Sequence, residues 1–363
     1  GILKLWKLNM INKFFKKMVH PKNKEIKVIV EMSSNHQGSF HGANRFVNQA
    51  IRNGADVIKF QVYKAETITL KSNKKDFLIN KKDVWGKFKT LHELYQEAHT
   101  PWEWIFKLAN SLNSKNFPWF ASPFDDSSVD FLEELDCQAY KIASPEVTDI
   151  PLIEKIASTR KPIILSTGLA TLKDIDLVVK TIKKKHNNFS ILKCISSYPN
   201  PMEDLNLRSI KLIKDKYKCS VGFSDHTIGD LAAKIAVTQG ATIIEKHFKV
   251  DNDNSSIDSH FSMELSNLIK FKKDLNDINI ILGKNELTLS PSAKKNINIR
   301  RSLYVSKKIL KGEKFTLSNV RSVRPSFGLH PKHLKIILGK KSLKDLEPGD
   351  RVNKKYIKNF SRN

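Results

Sequence analysis

Cysteine is scarce in this chain. Cys137, Cys194 and Cys219 are the only three, and their spacing fits neither a disulfide framework nor a thiolate metal site. That pattern implies buried thiols in a reducing, cytoplasmic setting. No apolar run approaches the ~20 residues that a membrane span requires, so no membrane partner is expected. No glycine-rich phosphate or dinucleotide turn follows the first strand-like run, which counts against an open, doubly wound nucleotide fold. Acidic residues are outnumbered, 37 against 63 Lys and Arg, for a formal net charge of +26. The surplus is mostly lysine spread along the whole chain, and it does not interleave with exposed aromatics. It is therefore not read as a nucleic-acid site, although such a field gathers anionic substrates.

What is present is enough apolar material for a sizeable core: 363 residues, 40% of them hydrophobic. One large domain and one small one are expected. The lysine-rich start, residues 1–24, lacks a long apolar stretch or a small-residue cleavage site. It is expected to be a loose, disordered basic extension, with a surface-binding amphipathic helix as the other reading. From residue 27 onward, β-branched runs alternate with helix-length stretches. Strands are predicted at 27–31, 56–61, 118–122, 139–143, 162–166, 190–195, 220–224 and 242–247. Most are near-continuous apolar runs, as parallel strands covered on both faces should be. Eight such units over about 250 residues point to an α/β fold, a (β/α)8 barrel at 25–283. A polar linker is predicted at 284–299. A small β-rich domain follows at 300–363, where short strand-like pieces alternate with Gly and Pro turns.

A barrel places its chemistry at the C-terminal ends of its strands. The polar residues fall there. Glu31 ends the first strand, Lys59 and Gln61 the second, and Ser122 the third. Lys141 and Ser144 flank the end of the fourth, Ser166 ends the fifth, and Ser196 and Tyr198 follow the sixth. Asp225 and His226 follow the seventh, and Glu245 and His247 end the eighth. Two histidines on adjacent strand ends can share a divalent ion with open positions, able to polarise a carbonyl. Imidazole ligands favour Mn²⁺ over Mg²⁺. Taken singly, each histidine reads more readily as a structural residue, and only their shared place on neighbouring strand ends favours a ligand pair. Lys59 and Lys141 with the serines Ser122, Ser144 and Ser166 form a phosphate cradle, unless the lysines merely meet nearby carboxylates. Glu31 and Glu146 can move protons or pair with those lysines. Asp258, in the loop after the last strand, can bind sugar hydroxyls or simply form a turn.

These residues sit in segments that resemble the sialic acid synthase family: VEMSSNHQG (30–38), GADVIKFQ (54–61), ASPFD (121–125), YKIASPE (140–146), KPIILSTG (161–168), YPNPMEDLNL (198–207), GFSDHT (222–227) and EKHF (245–248). The stretches RRSLYVSKKILKGEKFT (300–316) and RPSFGLHPKHL (324–334) resemble the family's antifreeze-like SAF domain. The resemblance implies a synthase that joins phosphoenolpyruvate to an open-chain amino sugar, with a divalent metal: Mn²⁺, or alternatively Mg²⁺ or Co²⁺. Carried over by position, it makes His226 and His247 the metal ligands. Lys59, Ser122, Lys141, Ser144, Ser166 and Ser196 become the phosphoenolpyruvate contacts. Glu146, Tyr198 and Asp258 face the sugar, and Glu31, Lys59 and Glu146 are catalytic. Arg324 reaches the partner's site in a domain-swapped homodimer. Within the family, EMS ahead of Asn35-His36, SSYP at 196–199 and the GLHPKHL run resemble the pseudaminic acid synthases. That implies 2,4-diacetamido-2,4,6-trideoxy-altrose as acceptor, with N-acetylneuraminate and legionaminate synthesis as the alternatives. A non-catalytic carbohydrate-binding protein with an idle barrel is the rival of another class. Ser34 and Ser326 stand where the family usually has glycine and are expected to take up its backbone shape. Phe327 replaces a tyrosine, and Ser256-Ile257 replace a Gly-Pro before Asp258.

Overall fold

The computed structural model describes the backbone of residues 2–360 and the side chains of residues 9–360. Eight parallel strands close on themselves: β1 (Lys27–Glu31), β2 (Val57–Val62), β3 (Trp119–Pro123), β4 (Tyr140–Ile142), β5 (Ile163–Ser166), β6 (Phe189–Cys194), β7 (Ser220–Asp225) and β8 (Ile243–Lys249). Each pairs with the next, and β8 pairs back onto β1, so the expected barrel is present. Both faces of these strands are covered. Ile29, Val30, Phe60, Phe120, Ile164, Ile191, Phe223 and Ile244 are fully buried, which explains why the strand sequences read as unbroken apolar runs.

Helices follow the strands and bury one stripe each. The helix Phe40–Arg52 is capped by Ser39 and buries Ala43, Phe46, Val47 and Ala50. The helix Leu172–Lys183 opens on a Thr171–Asp174 capping box, which satisfies amide groups that have no partner inside the helix. A two-residue strand, β9 (Met263–Glu264), extends the sheet beside β8. No described helix is long and apolar enough to cross a membrane.

The expectation for residues 1–24 is corrected from Ile2 onward. Ile2–Met18 is a helix, and Ile11, Phe15, Met18 and Val19 are buried in the barrel's own core cluster. Spacings of four, seven and eight residues put these four on one helical stripe, a signal diluted by the intervening lysines. Asn12 donates to Gln138, just before β4, at 3.3 Å. Ser220, which opens β7, donates to the Met18 carbonyl at 3.4 Å. Phe15 packs edge-on against Phe120 of β3. The helix is therefore the floor of the barrel, at the N-terminal ends of the strands.

The chain divides after Gly283 into two compact units. Residues 284–299 belong with the second unit and are not a bare linker. They form the helix Pro291–Lys295 and a 3-10 turn at Ile297–Ile299, and Ser326 bonds to the carbonyls of Asn298 and Ile297. In that unit β10 (Ser302–Val305) runs antiparallel to β11 (Val320–Val323). Its small core is built on Leu303, Ile309, Phe315 and Ile337.

Candidate active site

Strand alternation decides which side chains enter the barrel. On β8, Glu245 and His247 point inward, while Lys246 between them points to the buried side of the wall. There Lys246 pairs with Asp225 at 3.0 Å and donates to the Thr227 carbonyl at 2.7 Å. That pair anchors the turn after β7, next to His226. Register places Glu31 level with both Lys59 and His247. The C-terminal mouth encloses a cavity of about 550 Å³. Its lining includes Lys59, Ser122, Lys141, Ser144, Glu146, Ser166, Ser196, Tyr198, His226, His247 and Asp258. Glu31 joins them through Lys59. Twelve of the thirteen residues given a catalytic, binding or metal role by the resemblance thus meet in one volume. The thirteenth, Arg324, is an exposed residue of the second unit.

The lysines are paired, and for Lys141 burial outweighs Glu245 and holds its pKa below the ordinary value. Lys59 Nζ lies 2.7 Å from Glu31 and 3.2 Å from Glu245, and Lys141 Nζ lies 2.9 Å from Glu245. Ser224 donates to the same Glu245 oxygen at 3.1 Å. Burial works against ionisation of Glu245, but Lys141 and Lys59 overcome it and hold its pKa far below the usual carboxylate range. Burial likewise opposes the charge on Lys59, and the two glutamates override it. For Glu31 burial wins, despite Lys59, and its pKa is raised. Glu245 is thus the fixed anion of the network, while Glu31 is the member that holds a proton more readily. Glu146 has no ion pair among the described residues, and burial pushes its pKa up to about 8.

Several buried polar atoms at this mouth have no hydrogen-bond partner among the described residues: Ser166 Oγ, Ser196 Oγ, Glu146 Oε2 and His247 Nδ1, the last 3.9 Å from Asp258 Oδ2. Unmet polar groups cost free energy when buried, and together they describe a site shaped for a polar ligand. Close approach is built in at Gly168, whose N–H donates to Ser144 Oγ at 2.9 Å. A Cβ there would sit 2.3 Å from Ser196 Oγ and 2.8 Å from Ser144 Oγ, so only glycine leaves the hydroxyl cluster intact.

The imidazoles of His226 and His247 lie 5.4 Å apart, centre to centre. His226 Nδ1 is occupied by the Ile195 carbonyl at 3.1 Å. Burial, with the charges of His226 and Lys59, pushes the His247 pKa well below the ordinary value, and the neutral form is the one that ligates metals. Among the described residues no three His, Cys, Asp or Glu side chains converge as a closed cage. His226 and His247 are the two side chains that could hold an ion here, with its other positions left open.

Four features escaped the sequence reading. Glu245 was noted at a strand end but given no role, although its place two residues before His247 puts both on one face. Cys194 lines the cavity, and burial of its thiol is outweighed by the hydrogen bond with His226, which lowers its pKa. The long connection after β2 supplies a largely apolar wall of Tyr63, Ile68, Trp85, Leu94 and Tyr95, in a stretch without a strong periodic signal. Finally, the glycine-like backbone falls on Ser33, with φ of 46°. Neither Ser34 nor Ser326 has a positive φ, so the expectation for those two is corrected.

Comparison with known proteins agrees with this architecture. Residues 46–287 match the NeuB family and residues 300–355 the SAF domain. The chain is 43% identical over 329 residues to a pseudaminic acid synthase of Campylobacter jejuni, covering 90% of this chain and 95% of the relative. It is 39% identical to the pseudaminic acid synthase of Helicobacter pylori, covering 88% and 94%. Among solved structures, an N-acetylneuraminic acid synthetase from Leptospira borgpetersenii superposes with a TM-score of 0.66 at 33% identity, covering 75% of this chain and 90% of that one. With its closed barrel, its convergent mouth and its second unit, this chain belongs to the NeuB family and carries a C-terminal SAF domain.

Proposed function

We propose that the chain condenses phosphoenolpyruvate with open-chain 2,4-diacetamido-2,4,6-trideoxy-altrose and water, giving pseudaminic acid and phosphate. The observation that carries this is the meeting of two buried lysines, two histidines and unpartnered serine hydroxyls in one cavity. Lys59, Lys141 and the hydroxyls of Ser122, Ser144, Ser166 and Ser196 hold the phosphate and carboxylate of phosphoenolpyruvate through charge-assisted hydrogen bonds. C3 of phosphoenolpyruvate attacks the aldehyde carbon and forms the new C–C bond as the carbonyl π pair moves to the aldehyde oxygen, which ends protonated, balanced by the proton that the added water releases. Water adds at C2, Glu31 takes its proton, and phosphate departs by C–O cleavage. Glu146, neutral at pH 7, and Tyr198 face the sugar, and Asp258 accepts from its hydroxyls. Fixed charges surrounding the developing charge, and two substrates held in one mouth, supply the acceleration.

His226 and His247 would hold the divalent ion, Mn²⁺ by ligand type; when bound it supplies electrophilic activation of the aldehyde. The apolar wall from Ile68 to Tyr95 suits a sugar with two acetamido methyls and a 6-deoxy carbon, and the pseudaminic acid synthases of Campylobacter jejuni and Helicobacter pylori support the same acceptor. A homodimer in which Arg324 reaches the partner's mouth completes the reading. A cluster of exposed apolar side chains on the barrel, with Met202, Leu231 and Ile235 around one groove, supports an assembly.

The test is phosphate release from phosphoenolpyruvate with this sugar or with N-acetylmannosamine, with and without Mn²⁺. Turnover of the diacetamido sugar that disappears with chelator and with His247→Ala is expected. Preference for N-acetylmannosamine would overturn the choice of acceptor, and metal-independent turnover by His247→Ala would remove the ion from the reaction.

A further inference from the structure

Two carboxylates of the mouth share one neighbour. The Ser33 N–H donates to Glu31 Oε1 at 2.7 Å, and the Ser33 hydroxyl donates to Asp258 Oδ2. Ser33 is buried, 7% exposed, and sits in the left-handed region where a non-glycine residue is strained. Ser34 adds a second hydroxyl to the same oxygen at 2.9 Å and its N–H at 3.4 Å, and its hydroxyl accepts the Asp258 N–H at 3.2 Å. Every side-chain contact in this set falls on Oδ2. Asp258 comes from a loop more than two hundred residues away in sequence, yet it is held from the end of β1. Its other oxygen, Oδ1, takes none of these bonds, and the residue lines the cavity.

We propose that Ser33, assisted by Ser34, is a positioning residue for the acceptor sugar. Its hydroxyl fixes Asp258 Oδ2 so that Oδ1 is presented to a sugar hydroxyl, while its peptide N–H fixes Glu31 beside Lys59. One strained residue thereby sets the sugar contact and the acid–base group together. A glycine would relieve the backbone and keep the bond to Glu31, but would remove one of the two hydroxyls that fix Asp258 Oδ2. The inference rests on the reading of Asp258 as a sugar-facing group.

The test separates strain from positioning. Ser33→Gly is expected to match or exceed the wild type in Tm and to raise KM for the sugar about tenfold, the loss of one hydrogen bond to a charged group, with KM for phosphoenolpyruvate held within about twofold. Unchanged sugar KM, or both KM values rising together, overturns the proposal. Wild-type protein that is idle on every candidate sugar sinks the functional reading instead. A substrate-free arm then still decides the clamp: Tm shifts of Ser33→Ala, Asp258→Asn and the double variant should be strongly non-additive, as for groups in direct contact. Additive shifts overturn the contact itself.

Discussion

At the scale of the residue, the mouth separates carboxylates by environment. Glu245 lies between two lysines and stays ionised, whereas for Glu146 burial outweighs the more distant Lys141, and it holds its proton up to about pH 8. Its ordinary value is 4.5. The folded chain therefore keeps a proton that the unfolded chain releases, and the sign follows: this contribution is complete below the ordinary value and is lost as pH rises towards 8. If neutral Glu146 serves the sugar, kcat should fall above about pH 8. In Glu146→Gln that alkaline limb should vanish, at a lower plateau, because an amide has no proton to lose in this range. A full pH–rate profile of both proteins decides it, and an alkaline limb unchanged in the variant assigns the titration elsewhere. Cys194 shows the same dependence on neighbours: the sequence could say only that the thiol was buried, while contact with His226 reverses the direction in which burial pushes it.

At the scale of the element, the eight strands were legible because parallel barrel strands leave an unbroken apolar signature and end on polar residues. The residues that meet at the mouth were legible for the same reason, with Glu245 the exception in a strand whose every residue is deeply buried but for Lys249. The N-terminal helix was not legible. Its lysines lower the contrast between its faces, and its partners lie on β3, before β4 and at the start of β7, far along the chain. The long connection after β2 was little more legible, since its one helix, Leu91–Ala98, is short and only the Thr90–Glu93 capping box announces it. The floor helix makes a quantitative demand. Phe15 is fully buried, so Phe15→Ala should cost about 3–5 kcal/mol, the usual range for a large aromatic removed from a core. Urea unfolding measures this. A loss below about 1 kcal/mol, the scale of ordinary surface changes, would mean that the helix is dispensable to the barrel.

At the scale of the whole molecule, a net charge of +26 surrounds a reaction whose proposed first substrate is a small polyanion and whose second is neutral. Long-range attraction of that kind raises capture rates and is screened by salt. Raising ionic strength from about 0.02 to 0.5 M, across which the Debye length shrinks severalfold, should lower kcat/KM for phosphoenolpyruvate several-fold and leave that for the sugar nearly level. Equal sensitivity of both would show that the charge serves solubility alone. The floor helix also imposes an order of events on a nascent chain. The helix emerges ahead of the strands that seat it and cannot find its place until residue 220 has followed it out, so its greasy stripe must stay unburied while those strands are made. Contacts of such long sequence separation form late and slowly. The lysines along that helix, costly to its visibility in the sequence, would keep the waiting segment in solution.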